Sequence, residues 1–552
     1  MFNTLKIPDS SITTRQFSLN LTRTDLAPDG YTRVVWTSNG KYPGPIIQAN
    51  KGDRVIINVS NHLVDPTTIH WHGMFQISTN WYDGVAGQTQ CPIPDGISFV
   101  YNFSTGDQTG TYWWHSHYLS QYIDGLRGAL IIHDPSDPYL KDYDYEYVVT
   151  LSDWYHSVSS ELLAKRLAPG YRGRNPIPDA GLISGRGQYN CSAASSDAKC
   201  NSTSSQPIYK VVKDKKYRLR LINTSAQTYF FFSIDNHQMT LIEADGINIQ
   251  SQKISKLPIH VGQRYSVIIN ADQEVANYYI RATMVQCEFP PNSSTSDAET
   301  INYNSSINYN VTGILRYDGA SETSLPTSQE WNDDFATKLV NCRDLNDSYL
   351  IPLESSIPPN VTDRLVFNVT VFPDSTDNVT KAYINNSSFT PDLTSPSLNQ
   401  ILSGTDPATF ATNLNSYTYD TKDGCVQITV INSNLVEHPF HLHGHTFWLI
   451  GSGLGIDGVV NETAFNLVNP PVLIRYKINN PGIWSFHCHI EWHLGMGMSA
   501  QLVELRQEFQ NLTLPAESKA LCEEYENSQK RSIPGLAGDR YGLLLKGKSR
   551  NI

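Results

Sequence analysis

Short apolar stretches bounded by Gly, Pro, Asn or Asp recur along the whole chain. Arg54 to Val59, Gly128 to Ile132, Tyr217 to Ile222, Tyr265 to Ile269 and Gln427 to Ile431 are representative. Runs of this length, separated by turn residues, predict strands, and their recurrence predicts an all-β protein of sandwiches or barrels. Helical signals are few; the best are Ser159 to Leu167 and Ala516 to Ser528. No segment approaches about eighteen uninterrupted apolar residues, so no membrane-spanning helix is predicted.

The strand pattern divides into three blocks, residues 1–135, 143–317 and 334–552, with the polar stretch Asp318 to Asp333 as a linker. Each block is long enough for one Greek-key sandwich of about 100 residues plus insertions. Composition agrees: only 17% of the 552 residues are charged while 30 are Tyr, a balance that favours strands over helical bundles. The net charge of −12 comes without a long basic run, which argues against a nucleic-acid partner. Seventeen Asn-x-Ser/Thr sequons and eight widely spaced cysteines with no Cys-x-x-Cys pair point to a secreted, N-glycosylated, disulfide-bonded protein. Met1 to Ser10 holds no apolar core of signal-peptide length, so the expectation is a signal already removed.

The histidines carry the chemistry. Eleven of the sixteen fall in four clusters: His70-Trp-His72, His115-Ser-His117, His438 to His445, and His487-Cys-His489 with His493. Two clusters lie in the first block and two in the third. Each carries a His-x-His pair, and on a strand such residues share one face, about 6 to 7 Å apart. A lone pair is more often structural, and zinc hydrolases use such pairs as well. Four pairs, however, supply eight imidazoles, the number needed by three metals with three, three and two nitrogen ligands. In His487-Cys488-His489 the same alternation turns the thiolate away from both imidazoles, so Cys488 belongs to a different metal. That leaves His438, Cys488 and His493, with Met498 ten residues after the cysteine. Two His, one Cys and a weak axial Met describe a blue-copper electron-transfer centre.

The segments HWHG, TYWWHSHYLSQYIDGLRG, HPFHLHGHTF and WSFHCHIEWHLGMGM resemble the copper signatures of multicopper oxidases, in an order similar to fungal laccases. The resemblance implies three cupredoxin-like domains and four copper ions. His70 and His441 then hold type 2 copper. His72, His115 and His489 hold one type 3 copper, and His117, His443 and His487 the other. His438, Cys488 and His493 hold type 1 copper, and His445 is a structural histidine. The activity implied is one-electron oxidation of phenolic or aminophenolic donors, entering by an exposed edge of His493, with reduction of dioxygen to water. Asp83 and Glu491 match acids credited with proton supply, and Asp-Gly at Asp83 is also a turn signal. Asp124 is a further candidate, or a residue orienting a ligand imidazole. The resemblance also implies a Cys91–Cys522 disulfide; Cys287 with Cys342 and Cys191 with Cys200 are expected pairs, leaving Cys425 free.

Three positions depart from relatives and bear on the substrate. Yeast-type iron oxidases carry Glu before a Pro-Ile-Pro segment; here Asn175 precedes Pro176-Ile177-Pro178, which argues against the alternative of a ferrous or cuprous oxidase. Gln227 falls where phenol-oxidising laccases place a substrate-pocket carboxylate, and an amide cannot take a phenolic proton. Met498 stands where many laccases have Leu or Phe, which predicts a lower reduction potential. A carrier without turnover has no use for eight cluster histidines. Gly453 to Gly458 fits GxGxxG but lacks the strand–turn–helix context, and reads as a glycine-rich hairpin. A monomer acting on small aromatic donors is the expectation.

Overall fold

The computed structural model describes residues 4–5, 11–285, 308–331, 345–346, 349–434, 437–452, 455–456, 459–460 and 472–531. Strands dominate, and the representative apolar stretches lie inside Arg54–His62, Arg127–His133, Lys216–Asn223, Arg264–Asn270 and Cys425–Asn432. Burial alternates strictly along Arg54–His62, with Val55, Ile57 and Val59 inward, as period-two patterning requires when one sheet face is wet. The two helical signals form Ser159–Arg166 and Ala516–Arg531.

Each block is a pair of packed sheets. In the first, the strands order as Arg33–Ser38, Thr14–Leu26, Arg54–His62, Ser98–Ser104 on one side. The other side orders as Ile47–Asn50, Arg127–His133, Gly110–Ser116, Ile69–His72. The middle block has a six-stranded and a five-stranded sheet around a core of its own, including Leu219, Phe232, Val267 and Ile280. The third has a five-stranded sheet and a four-stranded one ordered Ser416–Tyr419, Ser499–Glu504, Gly482–Cys488, Phe440–Leu442.

The first and third blocks share their apolar cores. Trp71 and Tyr101 belong to one cluster with Ile483, Val503 and Leu521, while Trp113 and Ile131 join Phe486, Cys488 and Trp492 in another. Buried polar contacts fix the register of this seam. Asn80 Nδ2 donates to Ile483 O at 2.9 Å and Asn80 Oδ1 accepts from Ile483 N at 3.0 Å. The Cys91–Cys522 and Cys191–Cys200 disulfides are present, and Cys425 is free and buried. Cys287 and Cys342 lie outside the described residues. Gly455–Ile456 pairs antiparallel with Val459–Val460, and the rest of the Gly453 to Gly458 segment lies outside the described residues.

Candidate metal centres

Strand pairing assembles the histidines. Ile69–His72 lies antiparallel to Gly110–Ser116 with His70 opposite His115; Phe440–Leu442 lies antiparallel to Gly482–Cys488 with His441 opposite His487. Directly opposed residues sit about 4.5 to 5.5 Å apart. Each ladder therefore presents its imidazoles as a compact group. The two groups meet across the seam: the His72 ring stacks on His441 at 3.8 Å and His70 on His443 at 4.0 Å.

Hydrogen bonds behind the rings choose which nitrogen faces inward. His70 Nδ1 donates to Asp83 O at 2.7 Å, His115 Nδ1 to Ser116 O at 2.9 Å, and His487 Nδ1 to Cys488 O at 2.9 Å. His443 Nδ1 donates to Asp83 Oδ2 at 2.9 Å. The Nε2 atoms of His70, His115, His117 and His441 are buried without a hydrogen-bond partner among the described residues. Such orphans cost about 1 to 3 kcal/mol each unless something else binds them. Where inward nitrogens approach closely they do so at 3.2 Å (His489 Nε2 and His72 Nδ1) and 3.1 Å (His443 Nε2 and His487 Nε2). Two nitrogens bound to one metal at about 2.0 Å and a tetrahedral angle are roughly 3.3 Å apart. The donor set fits metal ions.

Beside a group of His70, Asp83 and His443, four sets made of His and Cys alone each hold their ligand atoms within 4.8 Å of one another. They are His70 with His72 and His441; His72 with His115 and His489; His117 with His443 and His487; and His438 with Cys488 and His493. Burial and the neighbouring imidazoles keep His72, His115, His441 and His489 neutral, their pKa values driven well below the usual range. Neutral imidazole is the ligating form.

Cys488 pairs across to Phe440 while His487 pairs across to His441, so the thiol points into the third block and away from the cluster. Its Sγ is 3.6 Å from both His438 Nδ1 and His493 Nδ1, which are 3.0 Å apart. Burial lowers the His438 pKa to about 3 and pushes the Cys488 thiol up, so a metal cation is what brings the thiolate form within reach. Met498 is fully buried in the same apolar cluster, and its carbonyl accepts from Cys488 N at 3.1 Å.

Two expectations require correction. His493 is only 4% exposed, and its Nε2 edge is covered by Asn175 Nδ2 at 3.0 Å. The covering segment is held down by Gln227, whose Nε2 donates to Pro176 O at 2.6 Å, so that side of the amide braces the backbone. Asp124 orients no imidazole: its carboxylate accepts from Arg33 and from Ser159 N and Oγ, tying down the start of the Ser159–Arg166 helix. Glu491 is buried, which raises its pKa well above the carboxylate range and keeps it protonated. His445 pairs with Glu504 at 3.2 Å, outside the four donor sets.

Sequence reasoning missed Gly262, which has φ +83° and where a Cβ would stand 3.0 Å from His489 Cδ2 and 3.3 Å from His72 Cε1. Only glycine lets the middle block close over these rings. It also missed Glu243, whose Oε1 accepts from Thr111 N at 2.7 Å and so pins the strand that carries His115. Arg218 and Arg220 lie buried around that carboxylate.

Sandwich domains with these donor sets define a copper-dependent oxidoreductase. The chain belongs to the multicopper oxidase family, whose three sequence models match residues 20–137, 145–320 and 388–508. It is 38% identical to laccase-4 of Trametes villosa over 531 residues, covering 92% of this chain and 93% of that protein. It is 38% identical to a laccase of Phlebia radiata over 507 residues, covering 87% and 88%. Among solved structures, laccase from Botrytis aclada superposes with a TM-score of 0.81 at 33% identity, covering 96% and 94% of the two chains. Fet3p, a multicopper oxidase that functions in iron import, superposes at 0.79 with 31% identity, covering 93% and 95%.

Proposed function

We propose that the protein is a secreted laccase-type oxidase, taking electrons singly from aromatic donors and delivering four to dioxygen to form two waters. The observation that carries this reading is the His487-Cys488-His489 junction, where three consecutive residues serve three donor sets, the two imidazoles in the histidine cluster and the thiol in the separate His438 and His493 site. Four coppers are inferred, which the ligand sets expected from sequence would hold, with the buried Met498 thioether as a further weak donor for the mononuclear one. Bound copper supplies one-electron acceptance at Cys488 and multi-electron delivery to dioxygen at the histidine cluster.

The remaining work falls to the chain. An electron arriving at the Cys488 sulfur has only a few covalent bonds to cross before either flanking imidazole. Most of the donor residues of both sites are buried from bulk solvent. Glu491, neutral by desolvation, holds a proton beside the Cys488 segment, and Asp83 contacts both His443 and His70. These two acids are the inferred proton sources for water formation. Secretion is supported by the two disulfides and the exposed sequons at Asn20, Asn201, Asn310 and Asn511. The sequon at Asn223 is excluded from glycosylation, since that side chain is fully buried.

Aromatic donors are favoured over ferrous ion because the group on the His493 edge is the neutral amide of Asn175, which offers no anionic ligand. The test is dioxygen uptake by the copper-loaded protein with aminophenols, simple phenols and Fe(II) at mildly acidic pH. Aromatic preference in kcat/KM is expected, with aminophenols above simple phenols because Gln227 takes no proton. A tenfold advantage for Fe(II) would overturn it.

A further inference from the structure

One buried cation near the mononuclear centre has no part in the scheme above. Arg166 ends the Ser159–Arg166 helix and is only 6% exposed. A guanidinium rarely goes so deep without a purpose, since burying it forfeits its hydration. Its position is well fixed. The helix start is held by Asp124, and its Leu163 packs tightly on Gly495, where a Cβ would meet Leu163 Cδ1 at 2.8 Å. Gly495 belongs to the Glu491–Gly495 helix, the element that carries His493.

Between the two helices lies Asn175. Arg166 Nε donates to Asn175 Oδ1 at 3.3 Å, and Asn175 Nδ2 meets His493 Nε2 at 3.0 Å. His493 turns its other nitrogen, Nδ1, toward Cys488 and His438. Once Nδ1 binds a metal, the ring proton resides on Nε2, which becomes a donor. Arg166 is a donor in every state. The amide between them has one oxygen with two lone pairs, so metal binding makes imidazole and guanidinium share or contest it. Either arrangement keeps the cation one side chain away from the ligand ring in a water-poor setting, where charges act strongly.

We propose that Arg166 is a positioning residue of the mononuclear centre, whose buried guanidinium, bridged to His493 by the Asn175 amide, raises the reduction potential of the metal held by His438, Cys488 and His493. The sign follows from charge. Reduction removes one positive charge from the centre, and a nearby cation favours the less positive state. Arg166 thus opposes the lowering expected from an axial Met498, and extends the range of aromatic donors the centre can oxidise. The inference rests on the copper reading given above.

The experiment is a potentiometric titration of the copper-loaded protein, followed by the thiolate-to-copper absorption band, for wild type, Arg166→Gln and Arg166→Lys. Arg166→Gln keeps a polar side chain beside Asn175 without the charge. It should shift the one-electron equilibrium at least tenfold toward the oxidised centre, a fall of about 59 mV. Arg166→Lys restores the charge and should recover most of the shift. Should Arg166→Gln fail to load copper, Arg166→Met fills similar volume and carries the same expectation. A shift under twofold in the uncharged variant, or an equal fall in Arg166→Lys, overturns the role of Arg166 while leaving the copper reading intact. A wild-type protein with bound copper but no thiolate band overturns both.

Discussion

The histidine cluster and the Cys488 site are neighbours built on opposite plans. The Cys488 site draws its ligands from one block: His438 and His493 are 55 residues apart. The cluster brings together His72 and His489, separated by 417 residues, and exists only where the first and third blocks dock. Its rings are aimed by backbone carbonyls and by Asp83, whereas His493 is braced from the middle block by Asn175 and Gln227. A site confined to one block survives small shifts between blocks; a site on the seam does not. On the proposed function, the difference means that electron entry and dioxygen reduction rest on separable structural supports, joined by one strand end.

Removing the joint has the largest expected effect. Cys488→Ser takes the soft ligand from the mononuclear site while leaving eight imidazoles in place. Turnover with aromatic donors should fall to background, with one copper equivalent lost by elemental analysis and the rest retained. Loss of every copper would mean that the two sites assemble as one unit. Next comes Asp83→Asn, which weakens the acceptor that orients His443 and His70. Supporting groups of this kind cost about 10 to 100-fold in metal affinity or activity. The thiolate absorption band should persist, because the Cys488 site makes no use of Asp83. Loss of that band together with activity would erase the distinction between the two supports.

The third test acts from a distance. Glu243 accepts from Thr111 N, and from Arg218 Nη2 at 2.5 Å, with all groups buried. Glu243→Gln removes the buried carboxylate from Arg218, which keeps only Asp137 at 2.7 Å, and breaking a buried pair costs up to about 3 to 5 kcal/mol. The strand loosened is Gly110–Ser116, so copper should leave the cluster at lower denaturant than it leaves the Cys488 site. Copper retained equally by both sites across a urea series would show that the middle block does not support the cluster. The same network sets a pH dependence. Burial pushes the Glu146 pKa up, but Arg220 beside it, bonded at 2.7 Å, wins and holds it at about 2, below its ordinary 4.5. A carboxylate depressed in the folded state adds stability that is present above the ordinary value and is lost as pH falls through the folded one. Thermal midpoints should therefore drop between about pH 5 and pH 2, and Glu146→Gln, already lower, should drop less. Parallel curves for the two proteins would remove Glu146 from the account.

What the sequence disclosed and what it withheld divide along the same line. Period-two alternation is a local rule, so the strands, the His-x-His pairs and the outward turn of Cys488 were legible from neighbouring residues. The pairing of His70 with His115 needed only adjacent strands in register. Contacts between blocks obey no such rule. Asn175 is 318 residues from His493, and nothing in its neighbourhood shows that it covers that ring. Asp124 stands in a motif beside two ligands, yet its partners are Arg33, 91 residues away, and Ser159. Arg166 reads as an ordinary basic residue in a last helical turn, where cations are favoured anyway.

The smallest expected effect refines the mononuclear site from within. Met498→Leu conserves volume, so the stability cost should stay below about 1.5 kcal/mol. Loss of the thioether removes a donor that stabilises the oxidised metal, and the potential should rise. Arg166→Gln moves the same quantity the other way by charge rather than ligation, and the two side chains approach the centre from different elements. In the double variant the shifts should therefore add, as they do for independent sites. The copper absorption band discriminates further: axial ligation alters the metal's own electronic structure, whereas a charge beyond His493 leaves it nearly unchanged. A potential unmoved by Met498→Leu would mean that the sulfur does not reach the metal, and that the entry site is tuned from outside its ligand shell alone.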